Sequence, residues 1–206
     1  MTDDPVPNIR SLKALRAAEA ACTRCSLYRK ATQVVPGEGP ARARMMMVGE
    51  QPGDQEDRQG RPFVGPAGGL LAKALEAAGI DRDEVYVTNA VKHFKFERRG
   101  KRRLHKRPNA HEIERCHVWF GFERKIVKPA LVVALGATAV RSMSGRATPI
   151  SRIRGKFVPL DGGGRMLATI HPSAILRAPG DEARHAMFKA FVADLKACTK
   201  ALAKMA

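Results

Sequence analysis

The stretch Met45 to Asp57, reading MMMVGEQPGDQED, restricts the fold more than any other part of the chain. Its apolar run, Met45 to Val48, has the length and continuity of a buried strand. Gly49 ends that run, and Pro52-Gly53 turns the chain. Glu50, Asp54, Glu56 and Asp57 follow in close succession. Ligands of open α/β sheets bind beyond the carboxyl ends of the strands, so a strand that empties into glycine, proline and carboxylates is a candidate site. The same residues also suit a solvated acidic turn. Gly60 to Leu71 (GRPFVGPAGGLL) then sets a lone aromatic, Phe63, among glycines and prolines, where no core periodicity accounts for it.

Along the rest of the chain, periodicity predicts alternating helices and strands. Ile9, Leu12, Leu15 and Ala18 recur at helical spacing, giving a short helix over 9–21 that ends at Cys22-Thr-Arg-Cys25. Gly65 to Gly79 reads as a glycine-fronted helix, and Val85 to Val91 as a second strand with Asn89 at its polar end. A long amphipathic helix is expected over 110–127, closed by Pro129. A strand over 131–135 and a helix from Ala137 follow. Lys156–Leu160 and Met166–Ile170 read as strands around the turn Asp161 to Arg165. The second of them runs into His171-Pro172-Ser173, and residues 181–206 are mostly helical. This alternation argues an α/β fold with a central, mainly parallel sheet, and the 206 residues suit one domain, 1–206, with no internal repeat. Three strand ends then bring Glu50, Asn89 and His171 to one edge. A carboxylate, an amide and an imidazole are the parts needed to hold a planar hydrogen-bonding ligand and assist bond breaking.

Charge narrows the partner. Lys plus Arg number 37 against 20 Asp plus Glu, a formal charge of +17, which points to a polyanion. No apolar run reaches the length of a membrane span and MTDDPVPN lacks a signal-peptide pattern, so a cytoplasmic protein without membrane association is expected. The basic residues cluster in Lys92 to Arg107 (KHFKFERRGKRRLHKR), where Glu97 is the one acid. That segment reads as a phosphate-binding arm beside a strand end, or as a disordered basic excursion. In a reducing compartment, Cys22, Cys25 and Cys116 are more often metal ligands than disulfide partners. By spacing alone zinc is the first candidate, and three cysteines with a histidine suit it. Cys198 reads as a packed thiol.

GEQPGDQED, TNAVKHFKF, KRRLHK and HPSAILR resemble the uracil-DNA glycosylase superfamily, most closely the UdgX branch of its iron–sulfur, family 4-like members. The resemblance runs from Cys22 to about Phe191. Ordinary family 4 proteins have an alanine where Gln51 stands and lack the KRRLHK insertion. The resemblance implies a three-layer αβα fold and a monomer that excises uracil from DNA, with single strands preferred. It implies a 4Fe-4S cluster held by Cys22, Cys25, Cys116 and, where the family has its fourth cysteine, His93. Phe63 would stack on a uracil rotated out of the helix, and Asn89 would read its O4 and N3 edge. Backbone amides around Gln51 and Gly53 would hold the remaining carbonyl. Asp54, Glu56 and Asp57 are weaker candidates for the site, at least one of them a solvated turn residue. Glu50 would stabilise the sugar cation or position a nucleophile, and His171 would stabilise the charge developing at O2. Arg103, Ser173 and Arg177 would meet phosphates, with Arg103 also docking the loop and disfavouring protonation of His105. His105 itself would bond covalently to the sugar once uracil leaves, whereas on sequence alone a histidine in an arginine-rich loop is a phosphate or groove contact. Two alternatives stay open. One is a multiple-turnover family 4 glycosylase whose loop only binds phosphate. The other is a non-catalytic, metal-stabilised DNA-binding module, which leaves Phe63, Asn89 and His171 unexplained.

Overall fold

Strands that are apolar at every position need a cover on both faces. In the computed structural model, which describes residues 9–205, they have one. The elements in chain order are α1 (Leu12–Ala20), β1 (Met45–Gly49), α2 (Asp54–Gln59), α3 (Pro66–Ala78), β2 (Val85–Asn89), β3 (Phe96–Arg99), β4 (Arg102–His105), α4 (Ala110–Val127), β5 (Leu131–Leu135), α5 (Ala137–Ser144), α6 (Ile150–Ile153), β6 (Phe157–Pro159), β7 (Arg165–Thr169), α7 (Pro172–Leu176) and α8 (Gly180–Ala203). The main sheet has the order β2-β1-β5-β7-β6. Its first four strands are parallel, and β6 pairs antiparallel at the edge.

Successive side chains on a strand point to opposite faces, and the two cores divide accordingly. Met45, Met47, Val85, Val87, Leu131, Val133 and Leu167 pack with Leu71 and Leu75 of α3, Ile175 of α7, and Phe191 and Leu195 of α8. Met46, Val48, Tyr86, Val132, Ala134 and Met166 pack on the other side with Phe120 of α4 and Val140 of α5. The fold is therefore the three-layer α/β arrangement with a mainly parallel sheet. A third cluster joins Leu15 of α1 to Ile113, Cys116, Trp119 and Phe122 of α4, with Cys22 and Leu27 between them. No helix among the described residues is long and apolar enough to cross a membrane.

Two segments depart from the sequence reading. The run after Pro52-Gly53 is the helix α2, where an acidic turn was the alternative to a site. Asp54, Glu56 and Asp57 sit in its first turn, where carboxylates complement the helix dipole. Glu56 and Asp57 are buried rather than solvated. Glu56 accepts from the N–H groups of Gly53 (3.1 Å) and Gly65 (2.9 Å), tying the two glycine loops together. The basic arm is an ordered antiparallel hairpin of β3 and β4, pairing Phe96 with His105 and Arg98 with Arg103. Strand β2 ends at Asn89. Ala90 and Val91 have turned away but still donate to the carbonyls of Gly49 and Glu50 at 3.0 Å each.

A buried charge network fixes the base of that arm. Lys92 is inaccessible to solvent, and its Nζ donates to Glu123 Oε1 (2.8 Å) on α4 and to Thr88 Oγ1 (2.5 Å) on β2. Glu19 on α1 lies 3.9 Å from the same ammonium. Burial raises the Glu19 carboxyl to about 7, against the opposing pull of Lys92.

Gly68 shows how tightly α3 meets the loop before it. A Cβ there would stand 1.8 Å from the carbonyl oxygen of Phe63, which is itself in the left-handed region at φ 57°. Alanine gains about 1 kcal/mol over glycine in a helix, whereas overpacking against backbone costs about 1–3 kcal/mol. Gly68→Ala is therefore expected to lower the urea midpoint of unfolding. A midpoint that rises instead would show that the Phe63 loop yields freely.

Candidate active site

The carboxyl ends of the parallel strands meet on one edge, as the fold requires. Gly49 is paired in register with Asn89, Glu50 follows Gly49, and His171 stands two residues beyond the end of β7. A Cβ at Gly49 would lie 2.3 Å from Asn89 Oδ1 and 2.8 Å from Phe63 Cζ, so only glycine leaves room between the amide and the ring. Asn89 is buried, and no hydrogen bond among the described residues occupies its side-chain amide. The Phe63 and His171 rings lie 6.4 Å apart at 27° on the same edge.

His171 caps α7. Its Nδ1 accepts from the Ser173 N–H at 3.1 Å and lies 2.8 Å from Ser173 Oγ. With Nδ1 an acceptor, the ring proton sits on Nε2. Burial, helped by Arg177 and His105, depresses the His171 imidazole to about 4, so the ring is neutral near pH 7. Ser173 thus orients His171, and Arg177 remains exposed beside the site.

Gln51 is buried, and its side chain bridges the two roots of the hairpin. Nε2 donates to the carbonyls of Lys95 (3.2 Å) and Lys106 (3.0 Å), while Oε1 accepts from Lys95 N–H (3.1 Å). Arg103 fixes the far end. It donates to Asp54 Oδ1, and its Nη1 lies 2.6 Å from Asp57 Oδ2. Its guanidinium covers the rings of Phe94 (5.4 Å) and Phe96 (5.0 Å). Asp57 is fully buried and also accepts from Thr32 N–H and Oγ1.

These contacts correct several expectations. Arg103 is spent on two carboxylates, with its side chain 8% exposed, and offers little to a phosphate. Asp54 is spent on Arg103 and Arg58. The Gly53 N–H is taken by Glu56, so a ligand carbonyl must find another donor. Nor is Arg103 what depresses His105. Burial does so first, opposed by Glu50 and aided by Arg177 and Arg107.

The docked hairpin brings His105 Nε2 to 3.4 Å from Glu50 Oε1, with its ring 6.1 Å from that of Phe94. The other carboxylate oxygen, Oε2, accepts from Thr138 Oγ1 at 2.5 Å, and Arg107 stands 3.8 Å away. Thr138 carries no motif. Its only sequence signal is its place in the first turn of a helix that follows a strand end.

Cys22, Cys25 and Cys116 gather between α1 and α4 as free thiols. Burial pushes Cys116 up to about 12, and Cys22 and Cys25 add to that effect. The Lys92 N–H donates to Cys116 Sγ at 3.2 Å, which sets His93 next to it in the chain. His93 Nδ1 is buried without a hydrogen-bond partner. Among the described residues, no His, Cys, Asp or Glu group is arranged to hold a metal ion. Zinc needs all four ligands on one centre, whereas a four-iron cluster takes each ligand on its own iron and tolerates wider spacing. Three thiols and an imidazole nitrogen without a hydrogen-bond partner are the donors such a cluster would need.

Residues 36–196 match the sequence model of the uracil DNA glycosylase superfamily. The chain is 39% identical over 164 residues to the type-4 uracil-DNA glycosylase of Thermotoga maritima, covering 79% of this chain and 82% of that protein. It is 36% identical over 165 residues to the type-4 enzyme of Pyrobaculum aerophilum, with 77% and 81% covered. Against the type-5 enzyme of the same organism, identity is 34% over 158 residues, with 68% and 66% covered.

The hairpin contacts yield a test that needs no substrate. Breaking one side of a buried ion pair costs about 3 kcal/mol, because the remaining charge is left uncompensated. Arg103→Ala should therefore raise amide hydrogen exchange across β3 and β4 by about 100-fold, with β1 and β5 unchanged. Gln51→Ala should do the same at Lys95 and Lys106 first. Unaltered exchange in both variants would mean that the hairpin is held by other contacts.

Proposed function

The chain belongs to the uracil DNA glycosylase superfamily, and on that footing we propose that it excises uracil from DNA and is then bonded, through His105, to the sugar left behind. The observation that carries the second half is the 3.4 Å approach of His105 Nε2 to Glu50, the carboxylate on the catalytic edge. The KRRLHK hairpin, and Gln51 at its root where ordinary family 4 proteins resemble one another in having alanine, support assignment to the UdgX branch.

In this reading the uracil is rotated out of the stack onto the strand edge beside Gly49. Phe63 stacks on the base, and the free Asn89 amide donates to O4 and accepts from N3–H. The C1′–N1 bond breaks with its electron pair leaving on the uracil. His171, neutral and protonated on Nε2, donates to O2 and stabilises that charge. Glu50 faces the positive sugar. His105 then supplies an Nε2 lone pair to C1′, forming a C–N bond, and the ring's remaining N–H proton is lost to solvent. Held on a docked hairpin, the imidazole acts at high effective concentration. Once bonded it fills the space that water would need. Arg177 and Arg107, both exposed, are the cations beside the site for a DNA phosphate. Cys22, Cys25, His93 and Cys116 would hold a 4Fe-4S cluster, which would tie α1 to α4 and play no part in bond cleavage.

Wild-type protein incubated with a uracil-containing single-stranded oligonucleotide should give a slow-migrating species on a denaturing gel, with one uracil released per protein. His105→Ala should abolish that species and restore turnover. A crosslink that survives His105→Ala would refute the assignment, and an alkali-cleavable abasic product from the wild type would mean ordinary turnover. The pH dependence follows from the depressed His105 imidazole, since protonation removes the attacking lone pair. Adduct formation should be full above neutral pH and fall on acidification, with a midpoint on the acid side of histidine's ordinary value. A rate that rises on acidification would contradict a neutral nucleophile. Anaerobically purified protein should be brown and contain iron, and Cys22→Ser, Cys25→Ser or Cys116→Ser should cut folded yield. Stoichiometric zinc without iron would overturn the cluster.

A further inference from the structure

The turn from β5 into α5 brings one more side chain to the reacting edge. Gly136 takes φ 91°, and a Cβ there would meet His171 Cβ at 3.2 Å, so this turn runs between His171 and Glu50. Two residues on, Thr138 is buried in the first turn of α5, and its hydroxyl donates to Glu50 Oε2 at 2.5 Å. The other group near that oxygen, Arg107, has a side chain 80% exposed at 3.8 Å and is screened by solvent. We infer that Thr138 is a positioning residue for the reaction: its hydroxyl holds one oxygen of Glu50, so that the other is presented to the sugar and to His105.

The inference rests on the reading of Glu50 as the carboxylate that faces the sugar. Glu50 follows the last residue of β1 and has three side-chain torsions, so nothing in its own backbone selects one direction for its charge. A charge-assisted hydrogen bond from a buried hydroxyl selects one. Preorganised charge stabilises a developing cation without reorganisation at the moment of reaction, so the expected gain is in rate rather than in binding. Thr138 sits on α5, which packs on the main sheet, and not on the hairpin. Glu50 is thus aimed independently of His105, and Thr138 acts on bond breaking as well as on capture.

The test is single-turnover uracil release, scored beside adduct formation, for wild type, Thr138→Val, Thr138→Ser, Glu50→Gln and the Glu50→Gln/Thr138→Val double variant. Thr138→Val should slow uracil release by about 10- to 100-fold, the loss of a hydrogen bond to a charged group, with DNA affinity unchanged. Thr138→Ser, which restores the donor, should stay within about 3-fold of wild type. In the Glu50→Gln background, Thr138→Val should cost less than about 2-fold, because residues acting through one another are not additive. A Thr138→Val protein at the wild-type rate, or one that loses as much with glutamine at position 50 as with glutamate, overturns the inference. Thermal melts check folding, and Thr138→Ala carries the same test if valine is not tolerated. A wild type that turns over without an adduct sinks covalent capture but leaves this test standing, since uracil release is its readout. Wild type that releases no uracil overturns both.

Discussion

The pairing of Arg103 with Asp54 and Asp57 is the interaction on which the docking of the hairpin and the placing of His105 depend. A segment as basic as Lys92 to Arg107 repels itself, and its net charge favours an extended, solvated chain. Two carboxylates of α2 reverse that preference at one point. Asp57 is fully buried and its other contacts come from Thr32, so Arg103 inserts into a prepared acceptor rather than meeting a mobile surface acid. Gln51 secures the roots of the same hairpin with three backbone bonds. The pairing register then puts His105 on the same face as Arg103, over Glu50. The acids that follow β1 therefore divide the work. Glu50 stands beside His105, Glu56 ties two glycine loops together, and Asp54 and Asp57 hold the arm that carries His105.

Much of this was legible in the residues. The 110–127 helix and the 131–135 strand lie where periodicity and Pro129 put them. The convergence of Glu50, Asn89 and His171 follows from parallel strands alone. What was not legible has physical reasons. Helix α2 follows Pro52-Gly53 and has no apolar stripe, because its buried positions are the acids Glu56 and Asp57. Hydropathy cannot distinguish such acids from a solvated turn. The hairpin escapes notice for a related reason. Its inward face alternates Phe96, Arg98, Arg103 and His105, so the period of two is present but is not written in apolar residues. Gly53 and Asp54 lie near the strand end and so read as ligand contacts, while their partners, Glu56 and Arg103, depend on a helix and a hairpin that hydropathy does not mark.

Each residue of this strand-end cluster has little freedom. Phe63 stands in the left-handed region in close contact with Gly68, and Gly49 has no room for a side chain. Asn89 ends a buried strand, and His171 is locked by the backbone of Ser173. The hairpin, by contrast, is an addition to this rigid edge and rests on α2 and Gln51. The strand-end residues and His105 are thus supported by different parts of the molecule.

Helix α4 links those parts through a single stripe. Glu112 holds Lys95 at the root of the hairpin, Cys116 faces the thiol cluster, and Glu123 holds the buried Lys92. Residues four and eleven positions apart fall on one side of a helix with 3.6 residues per turn. One residue inserted between Glu112 and Glu123 would swing everything beyond it by about 100° and leave either the hairpin root or the buried lysine facing the wrong side chain. Outward positions of α4 can therefore vary in sequence, but the helix cannot change in length between these residues.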